Sequence, residues 1–181
     1  AIAKKHNLRL RWFSLSLSGA GRVRKSLHIP GEYNVSNALA VYTLLREVGV
    51  RAKDITASFS KFRGSWRRME GKGKFQIPNS KFQIFVYDDY AHHPTEIRAT
   101  LQALREKFSR RKIVCVFQPH QAKRLRLLFD DFVDAFSDAD VLVLLPVYQV
   151  AGRDKKALRQ AHAKSSSEDL AEEIRKKHGQ A

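Results

Sequence analysis

The chain has 181 residues, with 34 Lys plus Arg against 18 Asp plus Glu and a formal net charge of +16. That length corresponds to one full domain, or one domain with part of another, and a hydrophobic fraction of 43% supports a packed core and excludes a disordered polycation. One cysteine, Cys115, excludes a disulfide framework and a multi-cysteine zinc site, and the longest apolar run, Val141 to Val147, is broken by Pro146 and falls far short of the ~20 residues that span a bilayer.

No charged-then-apolar leader opens the chain, so a reducing, cytoplasmic setting is expected. Residue 1 is Ala and the only methionine is Met69, which reads as a piece of a longer protein. The positive charge suits polyanionic partners or, equally, a solvated basic surface. No aromatic-basic signature of an RNA-binding sheet accompanies it.

In chain order, Phe13 to Leu17 alternates apolar and polar residues and predicts a half-buried strand, with Gly19 and Gly21 as a turn. A helix is expected from about Val35 to Val48, with Asn34 as N-cap and Gly49 ending it. Residues 53–62 predict a shorter helix. Gly64 to Gly73 is a basic, glycine-marked connector and the best domain boundary. Beyond it, strands are expected at Phe82–Tyr87, Ile113–Phe117 and Val141–Leu145, the last two buried on both faces. Helices are expected at Pro94–Phe108, with Pro94 at the first helical position, at 121–136, and at Glu168–Lys177 after the Ser165-Ser166-Ser167 caps. Strand–helix–strand–helix–strand is the pattern of a parallel α/β sheet. Ligands on such sheets bind beyond the carboxyl ends of the strands, which puts Asp88–Pro94, Gln118–Arg126 and Val147–Asp154 on one rim.

Four segments carry chemistry. Asp88-Asp89-Tyr90-Ala91-His92-His93-Pro94-Thr95-Glu96 crowds carboxylates, imidazoles and a phenol at a strand-to-helix turn. It could hold a ribose, orient an amine or bind a metal; equally, Asp88 and Asp89 could cap the turn and His93 the helix. Adjacent histidines point apart, so no two-His metal site is expected. Phe117-Gln118-Pro119-His120-Gln121-Ala122-Lys123-Arg124 puts cations in the first turns of a helix, against the dipole. An anion there would account for them, as would a solvated amphipathic face. Phe62 to Glu70 holds the doublet Arg67-Arg68 at the boundary, which suits a phosphate or an ordinary linker. In Pro30 to Ala38, Asn34 and Asn37 are three apart and could face one ligand such as an adenine edge, although asparagine also caps helices.

Taken in this order, the segments resemble the Mur ligase family. The family patterns P-G-x-H-N-x-x-N-A and F-x-G-x-x-R-R-x-E resemble Pro30–Ala38 and Phe62–Glu70; D-D-Y-(G/A)-H-H-P-T-E matches Asp88–Glu96 throughout; F-Q-P-H-x-x-x-R matches Phe117–Arg124; and Val147-Tyr148-x-x-Ala151-Gly152 resembles the motif after the next strand. Tyr33 stands where the pattern has His, and Gln121 where many members have Arg. The resemblance implies a Rossmann-like α/β ligase domain over 65–181, preceded over 1–64 by the end of a central ATP-binding domain. It implies ATP-dependent ligation in peptidoglycan precursor synthesis, most like the members that add L-alanine to UDP-N-acetylmuramate through an acyl phosphate. The peptide-recycling branch of the family is the near alternative, and a non-catalytic basic nucleotide- or nucleic-acid-binding module the distant one.

By matching position, Asn34 and Asn37 would lie near adenine, Arg68 would reach the ATP phosphates and Asp89 would engage the ribose. Tyr90, His92 and Arg124 would shape the amino-acid pocket, with Arg124 on the alanine carboxylate, and Arg68, His92 and Arg124 would form the catalytic set. Mg2+ ligands and the G-x-G-K-[ST] phosphate loop belong to the family's upstream part. No such loop occurs in these 181 residues, so the chain by itself is expected not to turn over ATP. No partner in a membrane and no nucleic acid are implied.

Overall fold

A computed structural model describes residues 11–16, 19–148 and 166–179. The chain divides into two compact units, Ala1–Ser65 and Trp66–Ala181.

Among its described residues the first unit holds three helices: α1 (Ala20–Ser26), α2 (Glu32–Glu47) and α3 (Ala52–Lys61). They meet over a small core of Ala20, Val23, Val35, Ala38 and Leu39, with Leu27, Tyr42 and Phe59 packed against it. The expected strand at 13–17 does not form. Residues 11–14 are irregular, 15–16 are a turn, and Leu17 lies outside the described residues. Alternation supplies a strand's faces but not its hydrogen-bonding neighbour, and Trp12, Phe13 and Leu15 are exposed. Gly21 sits inside α1 rather than in a turn. The long helix α2 starts earlier than the pattern suggested: Gly31, at φ 97°, is its N-cap, so Asn34 lies in the first turn and donates from Nδ2 to the Pro30 carbonyl at 2.6 Å. Only glycine enters a helix at that positive φ without steric cost. At the other end Gly49, at φ 88°, donates to the Arg46 carbonyl and stops the helix as expected. Val41, Leu44 and Val48 form an exposed apolar stripe on α2.

The second unit opens on a hairpin that the sequence reading did not foresee. Strand β1 (Glu70–Gln76) pairs antiparallel with β2 (Gln83–Asp88), in register from Glu70↔Asp88 to Gln76↔Gln83 with a bulge at Gly71/Gly73. The expected connector therefore ends at Glu70. Helix α4 (Pro94–Lys107) follows, then β3 (Val114–Phe117), α5 (Ala122–Leu127), α6 (Phe129–Val133), β4 (Val141–Leu144) and α7 (Ser167–His178). Strands β3 and β4 are parallel, paired from Val114↔Val141 to Phe117↔Leu144, so the unit is mixed α/β as expected. The core joins Ile97 and Leu101 of α4, Phe117 of β3, Leu125 of α5, Phe132 of α6 and Leu170 and Ile174 of α7.

Two expectations fail here. First, β3 is buried on one face only: Cys115 and Phe117 turn to the core, whereas Val114 and Val116 are 57% and 63% exposed, and Val143 of β4 is exposed beside them. An all-apolar strand records that both faces are suited to burial, not that both are covered. Second, the helix at 121–136 splits at Leu128, whose φ of −120° is not helical. The charges are compatible with the split. Arg124 and Arg126 occupy the last turn of α5, and Asp130 and Asp131 the first turn of α6, each where the helix dipole favours that sign. In a helix of six residues Lys123 and Arg124 stand in the first turn and Arg124 in the last as well, so the dipole carries no argument for a bound anion.

Candidate active site

Beyond the carboxyl ends of β2, β3 and β4, a cleft of about 350 Å3 lies wholly within the second unit. Its walls are Arg67 with Asp88–His92 on one side, and the turn after β3 with Arg124 on the other.

Asp89 anchors the first wall. Its side chain is only 11% exposed; Oδ1 accepts the Ala91 backbone N–H and Oδ2 that of Met69, both at 2.8 Å. The Met69 bond, together with that from the Arg67 N–H to Glu70 Oε2, supports Arg67 and Met69 at φ 50° and 46°, a left-handed conformation that costs a non-glycine residue about 1 kcal/mol or more. Alternating the backbone this way separates the two arginines. Arg68 turns to the carboxylates of Asp89 (4.0 Å) and Glu96 (3.6 Å), while Arg67 lines the cleft, donates from Nε to Asp88 at 3.2 Å and stacks its guanidinium on the Tyr90 ring at 4.9 Å. The Tyr90 and His92 rings meet edge-to-face, with centroids 5.1 Å apart. His92 Nδ1 lies 2.9 Å from the Tyr90 carbonyl and 3.4 Å from Glu96.

The turn itself is stapled by a capping box. His93 Nδ1 accepts the Thr95 N–H, and Glu96 Oε2 accepts the N–H groups of His92 and His93. Burial works to raise the Glu96 carboxyl, but the His92 N–H bond and ring, the His93 N–H and the Arg68 charge outweigh it, leaving that carboxyl below its ordinary range.

On the second wall, His120 stacks on Tyr148 with centroids 4.9 Å apart and planes 17° from parallel. A backbone bond from Tyr148 N–H to the Pro119 carbonyl holds the pair. Gln121 takes φ 72°. Arg124 is half-buried, and its Nη1 is shut off from solvent with no hydrogen-bond partner among the described residues. A buried donor left in that state costs about 1–3 kcal/mol. No three His, Cys, Asp or Glu side chains converge to hold a metal ion among the described residues, so no magnesium site is assigned to them.

The family profile "Mur ligase, glutamate ligase domain" matches residues 67–181. The chain belongs to the Mur ligase family. It is 43% identical over 141 residues to the UDP-N-acetylmuramate--L-alanine ligases of Psychrobacter cryohalolentis and Psychrobacter arcticus, a match covering 75% of this chain and 29% of each relative. Among solved structures it resembles the UDP-N-acetylmuramate-alanine ligase MurC of Thermotoga maritima, with a TM-score of 0.55 and 36% identity over 74% of this chain and 27% of that one. The chain thus spans under a third of the length of these relatives.

Of the residues that the Mur ligase resemblance singled out, Asp89, Tyr90, His92 and Arg124 line one cleft. Arg68 stands behind it, on Asp89 and Glu96. Asn34 and Asn37 belong to the first unit, where Asn34 bonds its own turn and Asn37 is exposed. The motif residues Ala151 and Gly152, and the rim beyond Tyr148, lie outside the described residues. Sequence reasoning passed over Arg67 and the partnership of His120 with Tyr148. The Arg67-Arg68 doublet was visible, but which arginine faces the cleft depends on backbone φ values that residue types do not report.

Proposed function

We propose that this chain is the C-terminal part of an ATP-dependent ligase that joins L-alanine to the carboxylate of UDP-N-acetylmuramate, with 1–64 ending the central ATP-binding domain and 65–181 forming the Rossmann-like ligase domain. The observation that carries the reading is the buried, unpartnered Nη1 of Arg124 in the wall of a cleft that Tyr90 and His92 close from the opposite side. A guanidinium meets a carboxylate by two parallel charge-assisted bonds, which would satisfy that donor. The ammonium end of the amino acid would then face the Asp88–His92 wall.

ATP first phosphorylates the sugar carboxylate. The free amine of alanine attacks the acyl carbon, the C–N bond forms, the C–O bond to phosphate breaks, and the amine proton passes to a base. A neutral His92 ring that donates from Nδ1 to the Tyr90 carbonyl carries its lone pair on Nε2 and can take that proton. In this reading Arg68 reaches the transferring phosphates, Asp89 the nucleotide ribose, and Asn34 and Asn37 the adenine, with Mg2+ held by the preceding part of the enzyme. The work is cytoplasmic, in peptidoglycan precursor synthesis.

The test is a chimera in which this chain replaces the matching segment of the Psychrobacter cryohalolentis ligase. Phosphate release that requires both UDP-N-acetylmuramate and L-alanine is expected. A folded chimera that binds ATP but releases no phosphate overturns the reading, and release with a short peptide instead of alanine transfers it to the peptide-recycling branch.

A further inference from the structure

We infer that Arg67 is a positioning residue that sets the Tyr90 ring across the cleft and thereby tunes the side of the site that takes the amine of an amino acid. The inference rests on the amino-acid reading of the cleft, but its geometry stands on separate observations.

Tyr90 follows the last residue of β2 by two positions and is 51% exposed, so the core does not hold its ring. Three contacts from one residue do. The Arg67 carbonyl accepts the Tyr90 N–H at 2.8 Å, the Arg67 guanidinium lies 4.9 Å from the Tyr90 ring centroid, and Arg67 Nε bonds Asp88, two residues before Tyr90. The same guanidinium lies 5.6 Å from the Trp66 ring, so it is close to two aromatics. Tyr90 also meets the His92 ring edge-to-face. The ring is thus contacted by both a cation and an imidazole, with Arg67 at φ 50°.

The chemistry follows from this arrangement. A protonated amine entering the cleft meets Asp88, the π face of Tyr90 and His92, and only the first two are spoken for by Arg67. While Arg67 neutralises Asp88 and covers one face of Tyr90, a second cation is steered toward the remaining ring edge and His92, where it can lose its proton. Arg124, on the other wall, reads the carboxylate and does not sense this adjustment. Loss of Arg67 therefore affects ligands that carry an amine and spares those that carry only a carboxylate.

The experiment is a side-chain NMR titration of the 181-residue chain with L-alanine and, separately, with propionate, which has the carboxylate and no amine. In Arg67→Ala the Tyr90–His92 ring contact is expected to weaken before any ligand is added. L-alanine affinity should fall about fivefold, the scale of the Arg67–Tyr90 cation–π contact that no longer fixes the ring, while propionate binding stays within twofold. Arg67→Lys should restore part of the alanine affinity, and Arg124→Ala should weaken both ligands. An unchanged Tyr90–His92 contact in Arg67→Ala, or equal losses for alanine and propionate, overturns the positioning role. If Arg67→Ala frees the ring but the unsubstituted chain binds neither ligand, the amino-acid reading fails and the effect on amine ligands fails with it.

Discussion

The Asp89 carboxylate accepts the backbone N–H of Met69, 20 residues earlier, at 2.8 Å. That bond ties the residues before β1 to the turn after β2 and fixes the backbone that sends Arg67 and Arg68 to different places. Replacing Asp89 with Ala leaves two part-buried N–H groups without acceptors, at up to about 1–3 kcal/mol each, and the left-handed Met69 without its bond. A drop of several degrees in Tm is expected for Asp89→Ala, with a smaller drop for Asp89→Asn, which keeps one oxygen. Chemical denaturation of both variants checks this, and a wild-type midpoint in Asp89→Ala would confine Asp89 to ligand contact.

Arg124 offers the sharpest kinetic test. In the ligase chimera, Arg124→Ala should lower kcat/KM for alanine by about 30- to 1000-fold, equivalent to ~2–4 kcal/mol for a truncated charge pair in a partly desolvated site. Lysine should rescue only partly, because a point charge does not reproduce the fork. The KM for ATP should move little. An equal loss for ATP and alanine would take Arg124 out of the amino-acid pocket.

Acid should loosen the turn that builds the first wall. The folded-state pKa of Glu96 lies below its ordinary value of 4.5. Its contribution to stability is therefore fully present above pH 4.5 and is lost as the pH falls below that value through the lower, folded-state pKa. Histidine resonances of His92 and His93, followed as the pH is lowered through and below 4.5, should report the opening of the capping box. Glu96→Gln should flatten that acid limb, and an identical limb in the variant would exclude Glu96 as its source.

Core and sheet face should respond differently to truncation. Leu125 and Phe132 are 1% exposed, so Leu125→Ala and Phe132→Ala should each cost about 3–5 kcal/mol. Val116→Thr, on the open face of β3, should cost less than ~0.5 kcal/mol. Urea melts of the three variants separate these values, and a large loss at Val116 would mean that its face is covered.

Cys115 packs against the same core, and burial pushes its thiol up to about 11. At neutral pH it should react with a disulfide reagent far more slowly than a free thiol, at a rate that rises only as the unit opens. Immediate labelling of the native chain would contradict the inward orientation of Cys115 on β3.

Legible in the chain alone were the features set by near neighbours. Pro94 at the first turn and Ser166 before Ser167 announced α4 and α7; Gly49 announced the end of α2; and the order of apolar runs announced an α/β unit, although of the three strands expected in one parallel sheet only β3 and β4 pair so, β2 pairing antiparallel with β1 instead. The motif Asp88–Glu96 is contiguous, so its residue types survive intact in the sequence, and the resemblance it carries needs no fold to be recognised. What only the tertiary structure decided involves partners remote in sequence or a choice between backbone conformations. Hairpin β1–β2 was missed because Gly71, Lys72, Gly73 and Lys74 offer no alternation, and the strand exists through its register with Gln83–Asp88. The break at Leu128 follows from where Phe129 and Phe132 pack in the core, not from the periodicity, which runs on through it. Whether β3 is covered on one face or two is a property of its neighbours. The two arginines at 67 and 68 are chemically identical, and they acquire different roles only because Asp89 and Glu70 accept the N–H groups of Met69 and Arg67 and so turn one guanidinium toward the cleft and the other toward the carboxylates behind it.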